Sequence, residues 1–453
     1  QMTTLSFAST IVWGSDEKGM GLGRRLEPQE ATLRIDASTR GIPTVEAIDI
    51  DDIGRLGWSP SRGDLALPAL TLDEMAFSSN RDVFLAWCSE VGAIVAPHAK
   101  TPMSPELARS LVEAGAWGVS VANLQQTAVF LAAGIRRVLL ANEIGGLAAG
   151  RRLGRLLAHH PDVTFGAFAD SPEAVAALGA AGLAAGRDLS VLIEVGAGRA
   201  GARDRSAVDA VIATVLETQG VVLGGVATYE GAAATADAEE TGRAIARLLQ
   251  RTIEAFGLVR AAAPGRRLIL SAGGSGHFDR VVKALAPTVR ADGNADLMLR
   301  SGAIFFADHG TYARAFAAMD ERGGLTLDGR RLSAAESFRP ALRLWAEVLS
   351  RPEPGLAICG FGMRDASFDQ GLPVALVVFR DGAERPGAAT GLVVSRLNDQ
   401  HAFVAVPEGG DLAVGDIVAF GISHPCTCLD RWRVIYGLDA EGTVVRALPT
   451  RFG

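Results

Sequence analysis

Val191-Leu192-Ile193-Glu194-Val195 is a short, mostly apolar, β-prone run that leads straight into the turn-rich Gly196-Ala197-Gly198-Arg199-Ala200-Gly201. Seven more runs of this kind lie along the chain, at 93–96, 118–121, 138–141, 164–168, 225–229, 268–271 and 297–300. Runs that read as buried on both faces, separated by helical segments, signal a parallel sheet. Eight such units over about 250 residues have the size of a (β/α)8 barrel. The intervening helices are well punctuated. Ser104 and Pro105 open one whose apolar face is Leu107, Leu111 and Val112, and Gly115 ends it. Gly134 closes the next, and the pattern repeats at 171–182 and 209–220.

The flanks read differently. Residues 1–63 show little periodicity and are expected to be an extension that docks on the C-terminal domain, with the barrel over 64–330. Gln1 ahead of Met2 reads as a residue left by cloning. After residue 330 helical spacing persists to about Leu349, and short alternating segments follow at 356–359, 373–379, 392–395, 402–406, 417–420, 434–436 and 443–448. Turn residues such as Glu408-Gly409-Gly410-Asp411 separate them, which predicts an all-β domain over 331–453. The fold class is therefore α/β, a barrel followed by a C-terminal β domain.

Bulk composition narrows the partners. The 453 residues are 48 % apolar and 21 % charged, with a net charge of −7, ordinary for a globular protein. A net negative chain without a basic stripe argues against nucleic acid or an anionic membrane as partner. No apolar stretch approaches the roughly 18 residues of a membrane span, and residues 1–20 lack the pattern of a secretory signal. Four unevenly spread cysteines, Cys88, Cys359, Cys426 and Cys428, do not form a disulfide framework, so a cytoplasmic protein with reduced thiols is expected.

Three places carry chemistry. Barrels place their reactive groups at the C-terminal ends of the strands, and the first run is followed there by Pro97-His98-Ala99-Lys100-Thr101. An amine at that rim suits imine formation with a carbonyl, although a solvated loop lysine reads the same way. The seventh run enters Ser271-Ala272-Gly273-Gly274-Ser275-Gly276-His277. Successive glycines there let backbone N–H groups converge on a phosphate, or simply permit a tight turn. Ser423-His424-Pro425-Cys426-Thr427-Cys428 lies far away in sequence. Extended backbone would put His424 and Cys426 on one side, where imidazole and thiolate suit Zn²⁺; Cys428 shares that facing and is either a third ligand or a core residue.

Taken together these stretches resemble the D-serine dehydratase/D-threonine aldolase family, pyridoxal 5′-phosphate (PLP) enzymes with an alanine-racemase-like barrel and a following β domain. Asp64–Ala69, Pro97–Thr101, Ala114–Gly118, Leu139–Glu143, Tyr229-Glu230-Gly231, Gly273–Gly276, Arg300-Ser301-Gly302 and Ser423–Thr427 carry the likeness. Gly362–Asp365, Phe368–Pro373 and Leu397–His401 are similar to the bacterial amino-acid deaminase (D-serine deaminase-like) branch. The resemblance implies that Lys100 is the Schiff-base lysine and the base for the Cα proton. It implies that Gly273, Gly274, Ser275 and Gly276 hold the cofactor phosphate, and that Tyr229 and Arg199 flank its ring. It further implies that His424 and Cys426 bind a metal that contacts the substrate's β-hydroxyl. Its subunits pair so that one barrel meets the β domain of another, which implies a homodimer with shared sites acting on a small D-amino acid.

Two departures stand out. Ile304 sits where relatives place tyrosine, and Cys428-Leu429 where Thr and Phe are commoner. A Zn²⁺-dependent dehydratase that turns D-serine or a bulkier D-3-hydroxy amino acid into a 2-oxo acid and ammonia is the first expectation, because the dehydratases use cysteine in the metal pair. The aldolases, which release glycine and an aldehyde, carry His-x-Asp and take Mn²⁺ or Mg²⁺, in keeping with harder oxygen ligands. A non-catalytic PLP carrier would resemble the barrel alone, and a racemase would need a second base.

Overall fold

The computed structural model describes residues 33–274 and 276–452; Ser275 lies outside them. Eight parallel strands form the barrel: β1 (Ala93–Val95), β2 (Val119–Val121), β3 (Arg137–Leu140), β4 (Thr164–Ala169), β5 (Leu189–Val195), β6 (Val221–Thr228), β7 (Leu268–Ala272) and β8 (Ala295–Leu299). All eight runs read from the sequence are these strands. β2 through β8 pair in chain order, and β8 pairs with β1. Backbone bonds from Trp117 N to Val95 O (2.7 Å), Ser120 N to Pro97 O (2.9 Å) and Ala99 N to Ser120 O (2.8 Å) join β1 to β2 and close the ring.

Helix starts follow local chemistry. Asp73 accepts from Ala76 N to cap Glu74–Glu90, and Ser171 accepts from Ala174 N ahead of Pro172–Ala185. Ser104 occupies the cap position of Pro105–Glu113, but its hydroxyl turns to Glu106 Oε2 (3.1 Å).

The lumen decides where the site sits. Ala96, Leu139, Ala141, Phe168, Leu192, Ala227 and Met298 fill it as one apolar layer. Strand side chains alternate, so the residue two positions further on each strand faces inward one level higher. Two residues beyond members of this layer, at or just past the strand ends, come His98, Glu143, Asp170, Glu194, Tyr229 and Arg300. An apolar plug thus carries a polar storey at the C-terminal rim.

The second sheet differs from expectation at two points. Helical spacing was expected to run to about Leu349, but Leu342–Glu353 is a twelve-residue strand. Its period-2 pattern is blurred at one position: Leu342, Leu344, Ala346 and Val348 enter the main core, while Trp345, on the opposite face, is buried in a second cluster. Ala69–Asp73, placed in the barrel by the sequence reading, pairs antiparallel with Leu342–Trp345 and parallel with Tyr436–Leu438, so it belongs to the β domain's sheet. The seven short segments expected beyond residue 350 are strands of this sheet.

Within residues 33–63, Ile35, Ile42, Ile50 and Ile53 pack against Trp345, Tyr436 and Val444 on the far face of that sheet. Arg40 reaches over the Trp432 ring (5.0 Å) to the buried Asp365 (2.9 Å). Among the described residues no helix is long and apolar enough to cross a membrane.

Candidate active site

A cleft of about 610 Å³ opens at the C-terminal rim of the barrel. Lys100, Arg199, Tyr229, Gly274, Gly276, His424 and Cys426, drawn from five separate stretches of sequence, all line it. Gly273 does not line the cleft, and Ser275 lies outside the described residues. The barrel and the β domain of the same chain both line it, with Lys100 on one side and His424 and Cys426 on the other.

Lys100 sits in the turn after β1, between Ala99, which donates to Ser120 O, and Met103, which donates to Ala99 O. The chain contains three lysines, Lys18, Lys100 and Lys283. Lys283 is exposed on the outer helix Phe278–Asp292, so Lys100 is the only lysine among the described residues that reaches the cleft. Lysine scarcity is a signal the sequence carried and the motif reading left unused. Beside Lys100, burial pushes the His98 imidazole well below its ordinary value, with Lys100, Arg300 and Arg199 adding to the effect. It is therefore held neutral.

The glycine loop after β7 divides its work. Gly273 adopts φ +82°, donates its N–H to Glu230 Oε2 (2.9 Å) and accepts from Arg300 N (2.7 Å). That amide is already committed, so Gly273 shapes the turn while Gly274 and Gly276 face the cleft. A methyl group on Gly276 would fall 2.3 Å from Ala315 Cβ, and one on Gly302 would fall 2.4 Å from the His98 carbonyl oxygen. The helix Phe278–Asp292 starts here without a side-chain cap, and the Ser301 hydroxyl nearby is buried without a partner. Uncapped amides at a helix start and a spare hydroxyl fit a phosphate group. Gly302→Ala is expected to push the Lys100 loop outward and weaken PLP binding by roughly tenfold or more. Absorbance titration of the variant checks this; unchanged affinity would show that the His98–Gly302 contact yields freely.

Arg300, which had no role in the sequence reading, is buried beneath the cleft. It donates to Ser271 Oγ (2.5 Å) and Thr228 O (2.6 Å) and lies over Phe168 (5.2 Å). Arg199 stacks on the Tyr229 ring at 5.0 Å and leans on Glu194 Oε1 at 3.5 Å. Ile304 is packed in the core and does not line the cleft, while the buried Tyr312 enters it eight residues later.

The opposite wall comes from the loop after Ile417–Gly421. Bonds from His309 N to Ile422 O (2.9 Å) and Thr311 N to Ser423 O (3.0 Å) stitch it to the barrel. His424 is extended, but Pro425–Leu429 is a short helix rather than a strand. The pairing of His424 with Cys426 survives that change; the shared facing of Cys428 does not. Cys428 is fully buried beneath Asp365 O (3.8 Å), and burial pushes its thiol up to about 12. It packs as a small hydrophobe. Asp369 accepts from His424 Nδ1 (2.6 Å) and from Thr427 Oγ1 (2.6 Å), which fixes the ring. Burial disfavours the imidazolium, yet the Cys426 thiol and the Asp369 carboxylate outweigh it and push His424 up to about 9. Cys426 Sγ lies 3.2 Å from Thr101 Oγ1, next to Lys100. Imidazole and thiol side by side, with a carboxylate orienting the imidazole, fit a soft divalent ion. Among the described residues no third His, Cys, Asp or Glu joins them, which leaves coordination positions for substrate or water.

Two family models match the chain: the alanine racemase N-terminal domain over residues 72–291 and the serine dehydratase domain over residues 341–438. D-threonine aldolase of Arthrobacter sp is 26 % identical over 362 residues, 79 % of this chain and 85 % of that protein. 3-Hydroxy-D-aspartate aldolase of Paracoccus denitrificans is 26 % identical over 317 residues, 68 % of this chain and 75 % of that protein. Among solved structures, D-threonine aldolase from Filomicrobium marinum superimposes with a TM-score of 0.69 at 24 % identity, covering 87 % of this chain and 97 % of that one. D-threo-3-hydroxyaspartate dehydratase from Delftia sp. HT23 gives 0.67 at 24 %, covering 87 % and 99 %.

Proposed function

The chain belongs to the D-serine dehydratase/D-threonine aldolase family of PLP-dependent lyases, and on that premise we propose that it converts a D-β-hydroxy amino acid to a 2-oxo acid and ammonia. The observation that carries this reading is the His424/Cys426 pair facing Lys100 across one cleft. Lys100 would anchor PLP, Gly274 and Gly276 would hold its phosphate, and Arg199 and Tyr229 would stand beside its ring. His424 and Cys426 would hold Zn²⁺.

PLP supplies an electron sink that makes the Cα proton removable. Zn²⁺ supplies Lewis acidity that turns hydroxide into an acceptable leaving group. The chain's own residues do the rest. Lys100 Nζ takes the proton from Cα, and neutral His98 adds no further positive charge to those of Arg199 and Arg300. Asp369 keeps the His424 ring turned toward Cys426, so the β-hydroxyl meets a fixed centre. Thr101, between Lys100 and Cys426, sets the spacing of the two ends of the site. One water leaves and one returns, so the products balance as 2-oxo acid plus ammonia.

The curated relatives are aldolases, which favours a second reading: cleavage to glycine and an aldehyde with Mn²⁺ or Mg²⁺. A sulfur ligand argues for the softer ion and the first reading. Incubation of enzyme, PLP and Zn²⁺ with D-serine, D-threonine, D-phenylserine and 3-hydroxy-D-aspartate is expected to release equal amounts of 2-oxo acid and ammonia. Glycine plus aldehyde establishes the aldolase instead, and no product from any of the four sinks both. A cytoplasmic homodimer is part of the same reading.

A further inference from the structure

One pair of carboxyl groups takes no part in the chemistry above. Glu194 is the inward residue near the end of β5, only 1 % exposed, and the partly buried Glu143 lies three residues past the end of β3. Each has one carboxyl oxygen, Glu143 Oε1 and Glu194 Oε2, buried with no donor. The two side chains meet, and two ionised carboxylates in that place would repel each other with nothing between them. One shared hydrogen satisfies both oxygens.

The neighbouring loop shows what the pair supports. Residues 196–202 fold back on β5 through Ala202 N to Glu194 O (2.7 Å) and Gly196 N to Ala202 O (3.2 Å). Arg251 Nη2 donates to the Gly196 and Ala202 carbonyls (3.3 and 3.1 Å), and Asp170 Oδ2 accepts from Gly201 N (2.9 Å). The loop is thereby tied down at both ends, with Arg199 at its tip. Arg199 has one anionic contact, Glu194 Oε1, and one ring contact, Tyr229.

We propose that Glu143 and Glu194 share one proton, and that the singly charged pair is a positioning device that holds the Arg199 guanidinium over Tyr229 at the edge of the cofactor cleft. The inference rests on PLP binding at Lys100. With one proton, a single negative charge on the pair faces the single positive charge of Arg199. Without it, the second charge draws Arg199 inward and away from the cleft. Asp170 and Arg300 are the other charged groups that act on this pair. Burial, the contact with Glu194 and the charges of Glu194 and Asp170 hold Glu143 protonated far above the ordinary carboxylate range. Protonation of such a group supports the fold fully below the ordinary carboxyl range, and that support drains away as pH rises toward the alkaline side.

The test compares wild type, Glu143→Gln and Glu194→Gln, each with and without PLP. Glu143→Gln keeps a hydrogen between the two side chains at every pH. Wild-type holoenzyme is expected to show an alkaline transition in its visible absorbance that Glu143→Gln lacks. In the cofactor-free proteins, the melting temperature of Glu143→Gln should exceed that of wild type by a margin that widens as pH rises from about 5 toward 9. Glu194→Gln leaves Arg199 without its anion and should lower kcat/KM by roughly tenfold with PLP still bound. An identical alkaline transition in wild type and Glu143→Gln, a pH-independent melting margin, or wild-type kinetics in Glu194→Gln would each overturn the proposal. Failure of the underlying reading is separate: it would appear as Lys100→Ala keeping the visible band, and it would leave the cofactor-free melting result untouched.

Discussion

Lys100→Ala is expected to leave a protein without the visible absorbance of bound PLP and with turnover reduced roughly ten-thousand-fold or more. The size follows from the inventory of the cleft. No other lysine among the described residues enters it, and the guanidinium groups of Arg199 and Arg300 do not form imines in place of a primary amine. The fold should survive, because the turn around Lys100 is held by backbone bonds of Ala99 and Met103 and the side chain is exposed. An unchanged melting curve beside a lost chromophore is therefore the expected pair of results. A retained visible band would remove Lys100 from its role.

Cys426→Ala is expected to lose bound Zn²⁺ and roughly a thousandfold in turnover while keeping PLP. Two protein ligands leave little redundancy, since His424 alone would hold the ion through one bond. Metal analysis, the visible spectrum and the rate separate the outcomes. Asp369→Asn should weaken metal affinity by about 10–100-fold, because the carboxylate that orients the His424 ring is lost while both ligands remain. Cys428→Ala should keep the metal, since that thiol is buried beneath Asp365 O. Retained metal in Cys426→Ala would point to a different donor set.

The barrel was legible because each of its strands is buried on both faces, so Val191–Val195 and its counterparts stand out as unbroken apolar runs. Leu342–Glu353 was not. Burial of Trp345 by a segment three hundred residues earlier blurs the alternation, and no local pattern reports so distant a partner. The same cause hid Ala69–Asp73, whose neighbours in the sheet come from the far end of the chain.

The site divides along similar lines. Lys100, Gly274, Gly276, His424 and Cys426 carry their chemistry in their own type and spacing, and the fold brings them to one cleft. Arg300 and Glu194 were hidden because each lies inside a strand-like run, where a charge looks like an interruption rather than a function. Reading two residues beyond each apolar lumen position would have found them, since Met298 leads to Arg300 and Leu192 to Glu194. Asp369 depends on a contact across 55 residues to His424, and nothing local signals it. The facing expected for Cys428 failed because a proline-led helical turn replaced extended backbone, and of its two readings the core residue stands.

Borohydride reduction of the holoenzyme, followed by peptide mapping of the three lysines, tests the central claim most directly. The phosphopyridoxyl mass is predicted on the peptide that carries Lys100 and on no other. Its appearance on Lys283 or Lys18, or its absence from all three, would contradict the account.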